Sequence, residues 1–194
     1  MSLASKPVVI IARMYLPASA LEGALAYHRE LSKTLAATVD GFEGSGYWQS
    51  YNDPTYTMIH YQYRDQAAAE LGLKALVDKR PLTERTELVS SPPDVLGIDI
   101  KGRQGRRVTS EVGDWLSISI RMADTGYGQD LCDELDRIFQ EISVLDGFLG
   151  AEYGVNQTLE DQVVGLALWS SREAFTASVP PGTIYDVNVF RRLM

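Results

Sequence analysis

Apolar and polar positions along the chain change period several times, from alternation or continuous apolar runs to helical spacing and back. After Pro7, the β-branched run Val8-Val9-Ile10-Ile11-Ala12-Arg13-Met14-Tyr15 predicts a strand. Pro17-Ala18-Ser19 then predicts a turn, with Ser19 and Glu22 spaced as a capping box. Leu21, Leu25, His28, Leu31 and Leu35 recur at helical spacing, and Asp40-Gly41 ends that helix. Residues 45–51 and 56–63 read as strands on either side of the turn Asn52-Asp53-Pro54. A helix over 67–77 and a short strand over 95–100 follow.

The second half runs in the same order. Residues 115–122 predict a strand, and Leu131, Leu135, Ile138 and Ile142 a helical stripe. Strands follow at 151–157, 162–169 and 184–190, with only 170–179 left for a second helix. Short identities mark the duplication. Asp40-Gly41-Phe42-Glu43-Gly44 returns as Asp146-Gly147-Phe148-Leu149-Gly150, with Tyr47 and Tyr153 three residues further on. Arg13-Met14 returns as Arg121-Met122, and Pro92-Pro93 as Pro180-Pro181. A period this long is one folded unit duplicated rather than a solenoid repeat.

The order βαββαβ is the ferredoxin-like motif, and each copy leaves one apolar sheet face uncovered. The expected fold is α+β: two ferredoxin-like βαββαβ repeats, residues 1–104 and 105–194, packed sheet to sheet as a dimeric-type α/β barrel with helices outside. The segment Trp169-Ser170-Ser171-Arg172-Glu173-Ala174-Phe175 resembles the W-x-S-x-E-A-F signature of the antibiotic-biosynthesis monooxygenase-like, dimeric α/β-barrel superfamily. Asp-Gly-Phe before the second strand of each copy is similar to that family's D-G-x-x-G segment. The resemblance covers both halves, so the chain looks like a tandem fusion standing in for the usual homodimer. It implies the fold more strongly than the chemistry, because the superfamily holds oxygenases, isomerases and haem enzymes.

Charge and composition narrow the classes. The formal net charge of −8 argues against a nucleic-acid partner, whose backbone calls for clustered Lys and Arg. The basic stretch Lys101 to Arg107 reads as a solvated linker between the copies. One cysteine, Cys132, excludes an intrachain disulfide and fits a small buried hydrophobe. Nothing is apolar enough for a bilayer span and the start lacks a signal-peptide pattern, so a cytoplasmic protein with no membrane partner is expected. A homodimer through helices or edges stays open.

Strand alternation assigns candidate site residues. In the second copy Leu116, Ile118, Ile120, Met122, Val164, Leu166 and Leu168 form the expected barrel interior. The opposite face carries Trp115, Ser117, Ser119, Arg121, Gly165, Ala167 and Trp169, with Asp186 and Asn188 from the last strand. Small and polar residues there mean a cavity or a solvent-washed face. In the first copy, matching the arginines puts Val9, Ile11, Arg13 and Tyr15 on the helix side, with Ile59, Tyr61 and Tyr63. His28 lies on the inward helix stripe, near where the second copy has Leu135. Arg13, Tyr15, His28, Tyr61 and Tyr63 are thus expected to line one aromatic, partly polar cavity, with Arg121, Trp169 and Asn188 as further substrate-binding candidates. Each has a plainer alternative: His28 a satisfied core histidine, the tyrosines strand packing, Arg13 a structural ion pair. Trp48 reads as core, and His60 points to the face opposite His28.

The resemblance implies a cofactor-independent oxygenase acting on a small aromatic or quinone-like substrate. His28 has the intrinsic pKa for a base, and Arg13 or a tyrosine hydroxyl suits an oxyanion. Haem is disfavoured, because the family's tandem haem enzymes use a histidine in the second half and none follows His60 here. Two histidines on different faces offer no dedicated metal site, and no glycine-rich phosphate loop calls for a nucleotide cofactor. The rival is a non-catalytic small-molecule-binding or structural barrel.

Overall fold

The computed structural model describes residues 6–78, 92–108, 114–180 and 187–194. The elements follow in the order β1 (Val8–Tyr15), a 3-10 turn (Ala18–Ala20), α1 (Leu21–Thr38), β2 (Phe42–Ser50), β3 (Tyr56–Tyr63), α2 (Gln66–Asp78) and β4 (Asp94–Gly105). The second series is β5 (Trp115–Met122), α3 (Gly128–Ile142), β6 (Phe148–Asn156), β7 (Gln162–Trp169), α4 (Arg172–Ser178) and β8 (Val187–Arg192). In the first unit β3 pairs antiparallel with β1 and β2; in the second, β5 pairs with β7 and β8, and β6 with β7 and with β4 from Ile98 on, all antiparallel. The expected α+β class and twofold βαββαβ order are both present.

The chain divides into two compact units, one of residues 1–97 with Leu193–Met194 and one of Ile98–Arg192. In the first unit the core gathers Val8, Ile10, Met14, Leu31, Leu35, Tyr47, Ile59, Tyr61 and Tyr63. In the second it gathers Cys132, Leu135, Phe139, Ala151, Tyr153, Val163, Ala167 and Trp169. Each core is the helix-covered face of its sheet, and burying these apolar surfaces is what drives the strands and helices together.

The duplicated Asp-Gly-Phe segment has a backbone explanation. Gly41 and Gly147 both adopt positive φ, +89° and +83°, where side-chain-bearing residues are strained. A Cβ at Gly41 would meet Ala68 at 2.8 Å, and one at Gly147 would meet Ala174 at 2.5 Å. The glycines let the turn close against α2 and α4, and their carbonyls accept the N–H groups of Arg64 and Ser170, both at 2.8 Å. This repeated motif serves the fold.

Three expectations change. Ser19 does not cap α1: the 3-10 turn precedes the helix, and its N-cap Ala20 has no side-chain hydrogen bond. Lys101 to Arg107 is not a solvated linker, since β4 runs through Gly105. Arg103 and Arg107 face the buried Glu152 carboxylate at 3.9 and 3.7 Å, because a carboxylate withdrawn from water needs cations beside it. Of the last expected strand, residues 184–186 lie outside the described residues, and β8 begins at Val187.

Candidate functional site

The strand registers decide which side chains share a face, because residues directly opposite in an antiparallel pair point the same way. Tyr63 lies opposite Val8, Tyr61 opposite Ile10 and Ile59 opposite Ala12. The helix-covered face of β1 therefore carries Val8, Ile10, Ala12 and Met14. Arg13 pairs with Met58 and Tyr15 with Tyr56, on the other face. This corrects the sequence expectation: Arg13 and Tyr15 do not line one cavity with His28, Tyr61 and Tyr63. A one-residue offset reverses the side of every residue in a strand, and aligning the two arginines introduced that offset.

Arg13 instead forms an ion pair with Asp94 in a groove of about 260 Å³ with Met14, Tyr15, Tyr56 and Pro92. His28 is fully buried. Its ring lies 5.8 Å from that of Tyr47 and 5.5 Å from that of Tyr61, with 3.4 Å between Nδ1 and the Tyr61 hydroxyl. Burial pushes the phenols of Tyr61 and Tyr63 above their ordinary range, so both stay protonated. None of the described cavities is lined by His28, Tyr61 or Tyr63. On the other face, the buried Trp48 indole donates to Nδ1 of His60 at 2.7 Å.

In the second unit, Trp115 lies opposite Trp169, Ser117 opposite Ala167, Ser119 opposite Gly165 and Arg121 opposite Val163. Set beside the first unit, the pairs Trp115–Trp169 and Val8–Tyr63 coincide. Ser117 then takes the place of Ile10, Ser119 that of Ala12, Arg121 that of Met14, Gly165 that of Ile59 and Ala167 that of Tyr61. The buried helix stripes Ala24, His28, Leu31, Leu35 and Gly128, Cys132, Leu135, Phe139 correspond in the same way. His28 thus answers to Cys132, not to Leu135 as the sequence spacing suggested.

Ser117, Gly165 and Ala167 in the places of Ile10, Ile59 and Tyr61 remove side-chain volume, and a cavity of about 230 Å³ opens where they fall. Its floor is Ser117, Ser119, Arg121, Gly165, Ala167 and Trp169. Leu135, Ile138 and Phe139 of α3 form one wall, and Phe175, Val179 and Pro180 the other. A Cβ at Gly165 would lie 2.9 Å from Oγ of Ser119 and 3.1 Å from the Phe139 ring, so glycine is what keeps this floor open. The Trp-x-Ser-x-Glu-Ala-Phe segment builds the far wall. Trp169 is buried and its ring meets Phe175 edge-on at 6.1 Å. Ser171 caps α4 by accepting the N–H of Ala174 at 3.1 Å.

Polar groups in the cavity are few. The Ser117 hydroxyl donates to the Ala167 carbonyl at 3.3 Å and accepts from Nε1 of Trp169 at 3.1 Å. Arg121 reaches Oε1 of Glu134 at 3.4 Å, and Glu141 at the cavity pairs with Arg137 at 3.6 Å. Arg121 also lines an outer groove with Met122, Tyr127, Asp130 and Glu134. Of the residues singled out from sequence for the second copy, Arg121 and Trp169 meet here. Asn188 does not: it lies opposite Ile118, while Val187 and Val189 lie opposite Ser119 and Ser117. The same one-residue parity is the reason. Sequence reading placed Ser119 and Gly165 on this face but not in a site, and passed over Phe139 and Phe175. The signal was a glycine in mid-strand on a face shared with two serines. No group of three or more His, Cys, Asp or Glu gathers as a metal site among the described residues. No described helix is long and apolar enough to cross a membrane.

No family profile and no curated protein matches the chain by sequence. Solved structures match it along nearly its whole length. A candidate monooxygenase from Fusobacterium nucleatum superposes with a TM-score of 0.80 at 9% identity, covering 99% of this chain and 94% of that one. An anthrone oxidase-like protein gives 0.72 at 15% identity, covering 98% and 92%. A ferredoxin-fold protein related to antibiotic biosynthesis monooxygenases, from Listeria monocytogenes, gives 0.59 at 8% identity, covering 98% and 96%. The chain has the fold of these monooxygenase-like ferredoxin-fold proteins.

Proposed function

We propose that the chain is a cofactor-independent monooxygenase of a small aromatic or quinone-like substrate, with its site in the second repeat. The observation that carries this reading is the cavity floored by Gly165 and Ala167 and walled by Phe139, Trp169 and Phe175. A mostly apolar space with a few polar groups at one side suits a flat, oxygen-bearing ring. The likeness to an anthrone oxidase-like protein points to the same chemistry.

An anthrone-type substrate brings its own reducing power. Loss of a proton from its activated CH₂ gives a carbanion whose electrons pass to dioxygen. A C–O bond forms, the resulting peroxide loses water, and the carbon is left as a carbonyl. The sum is CH₂ plus O₂ giving C=O plus H₂O, with dioxygen the only oxidant. Arg121 faces the developing oxyanion, and Glu141 is the carboxylate beside the cavity. A second reading, aromatic binding without turnover, is favoured by one observation: Glu141 is exposed and held by Arg137, and no histidine lines the cavity.

Dioxygen uptake by the purified protein with anthrones and hydroquinones separates the two, with autoxidation subtracted and Gly165→Ile run alongside. Uptake that disappears in Gly165→Ile supports the oxygenase. A ligand-induced rise in Tm without uptake supports the binding protein. Neither response sinks both readings.

A further inference from the structure

We infer that Ser119, together with Arg121, selects an aromatic ligand carrying a neutral oxygen, a phenol or ketone, on the edge that faces β5. This rests on the aromatic-ligand reading above and adds which end of the ligand is polar and in what charge state it enters.

The argument begins with which polar groups are already committed. The Ser117 hydroxyl is used twice, by Ala167 and by Trp169, and the Trp169 N–H is spent on it. Ser119 is different. Its Oγ sits over Gly165, in the space that a Cβ there would crowd. It makes no hydrogen bond to any of the described residues, yet it lines the cavity. A hydroxyl both donates and accepts, so it can hold a phenol or a ketone. Arg121 lies two residues further along the same strand face, about 7 Å away by strand geometry. The two form a polar strip along one edge. Leu135, Ile138, Phe139 and Phe175 present only hydrocarbon, the Ser178 hydroxyl among them is spent on the Phe175 carbonyl, and Glu141 is exposed and held by Arg137, so a ligand polar at both ends would bury a poorly matched group.

Charge decides between a neutral oxygen and a carboxylate. Arg121 already faces Glu134. Asp130 stands with them in the outer groove, and Glu141 borders the cavity beside its partner Arg137. Carboxylates outnumber cations in this group, so an added carboxylate meets net repulsion, whereas a phenol or ketone gains a hydrogen bond without it.

The test uses the intact protein and three probes of one ring size, 1-naphthol, naphthalene and 1-naphthoic acid, titrated at neutral pH by quenching of tryptophan fluorescence. The expected result is naphthol binding about fivefold to tenfold tighter than naphthalene, the span of one hydrogen bond, and tighter than naphthoate. In Ser119→Ala that advantage shrinks while naphthalene binds as before. Equal binding of naphthol and naphthalene by the unaltered protein overturns the inference but leaves the aromatic pocket standing. A preference for naphthoate overturns the neutral-ligand assignment. Failure of all three probes to bind overturns the inference together with the pocket reading beneath it.

Discussion

Arg121 occupies on β5 the place that Met14, not Arg13, occupies on β1: Arg121 lies opposite Val163 and Met14 opposite Thr57, at matching steps from Trp115 and Val8. The two arginines that look equivalent in the sequence point to opposite faces of their sheets. Arg13 pairs with Asp94 in a groove on the face away from its helices, and Arg121 borders the cavity beneath α3.

Gly165→Ile, which copies Ile59 into the second repeat, is expected to close the cavity. The new side chain would crowd Ser119, Phe139 and Leu135, whose atoms already lie within 2.9–3.4 Å of a Cβ at this position. Overpacking of this kind destabilises by about 1–3 kcal/mol, so the variant should fold. Its affinity for 1-naphthol, followed by calorimetry, should drop at least tenfold. Unchanged affinity would place the ligand elsewhere.

Arg13→Ala should leave aromatic binding and any dioxygen uptake unaltered and reduce stability by less than about 1 kcal/mol, as for a partly exposed ion pair. Trp48→Phe should be the more damaging change. It removes the buried donor to His60, and a stranded polar group costs about 1–3 kcal/mol. Urea melts of the two variants check the ranking.

His28→Leu is expected to act on stability rather than turnover. The residue is enclosed by α1, Tyr47 and Tyr61, and the Tyr61 hydroxyl would lose its contact to Nδ1. A loss of about 1–3 kcal/mol follows, with ligand affinity retained. Selective loss of uptake without loss of Tm would return the catalytic role to the first repeat.

The buried tyrosines set the alkaline limit. Burial raises Tyr47, Tyr61 and Tyr63 above the ordinary value of 10.0, and burial, with a hydrogen bond to Asp136, brings Tyr153 to about 12. The folded state keeps these protons where the unfolded chain releases them. Their contribution is whole below pH 10 and is lost as pH rises through the folded values, at up to about 1.4 kcal/mol per pH unit for each tyrosine. Phenolate absorbance of these residues should therefore appear together with loss of near-UV dichroism, not before it. Titration at constant dichroism would contradict this.

Much of the fold was legible along the chain because its signals are local. Helical spacing over Leu21 to Leu35, the β-branched run at Val8 and the paired Asp-Gly turns each report backbone geometry within a few residues. The twofold order of elements, and the shortening of the second helix to α4, were visible for the same reason. Trp169 and Arg121 could be proposed because the strand pattern around them departs from ordinary packing.

What the sequence by itself determined is the order of elements, their twofold repetition and the small, polar character of one strand face in the second half. The tertiary structure decided which repeat holds the cavity. That outcome depends on strand register: a shift of one residue turns Arg13, Tyr15 and Asn188 to the other face. It depends equally on volumes added across neighbouring elements. Ile59 and Tyr61 against Leu31 and Leu35 belong to a packed core, whereas Gly165 and Ala167 against Leu135 and Phe139 leave a cavity. Neither sum is written in any single segment, because side chains distant in the chain fill or vacate the same space.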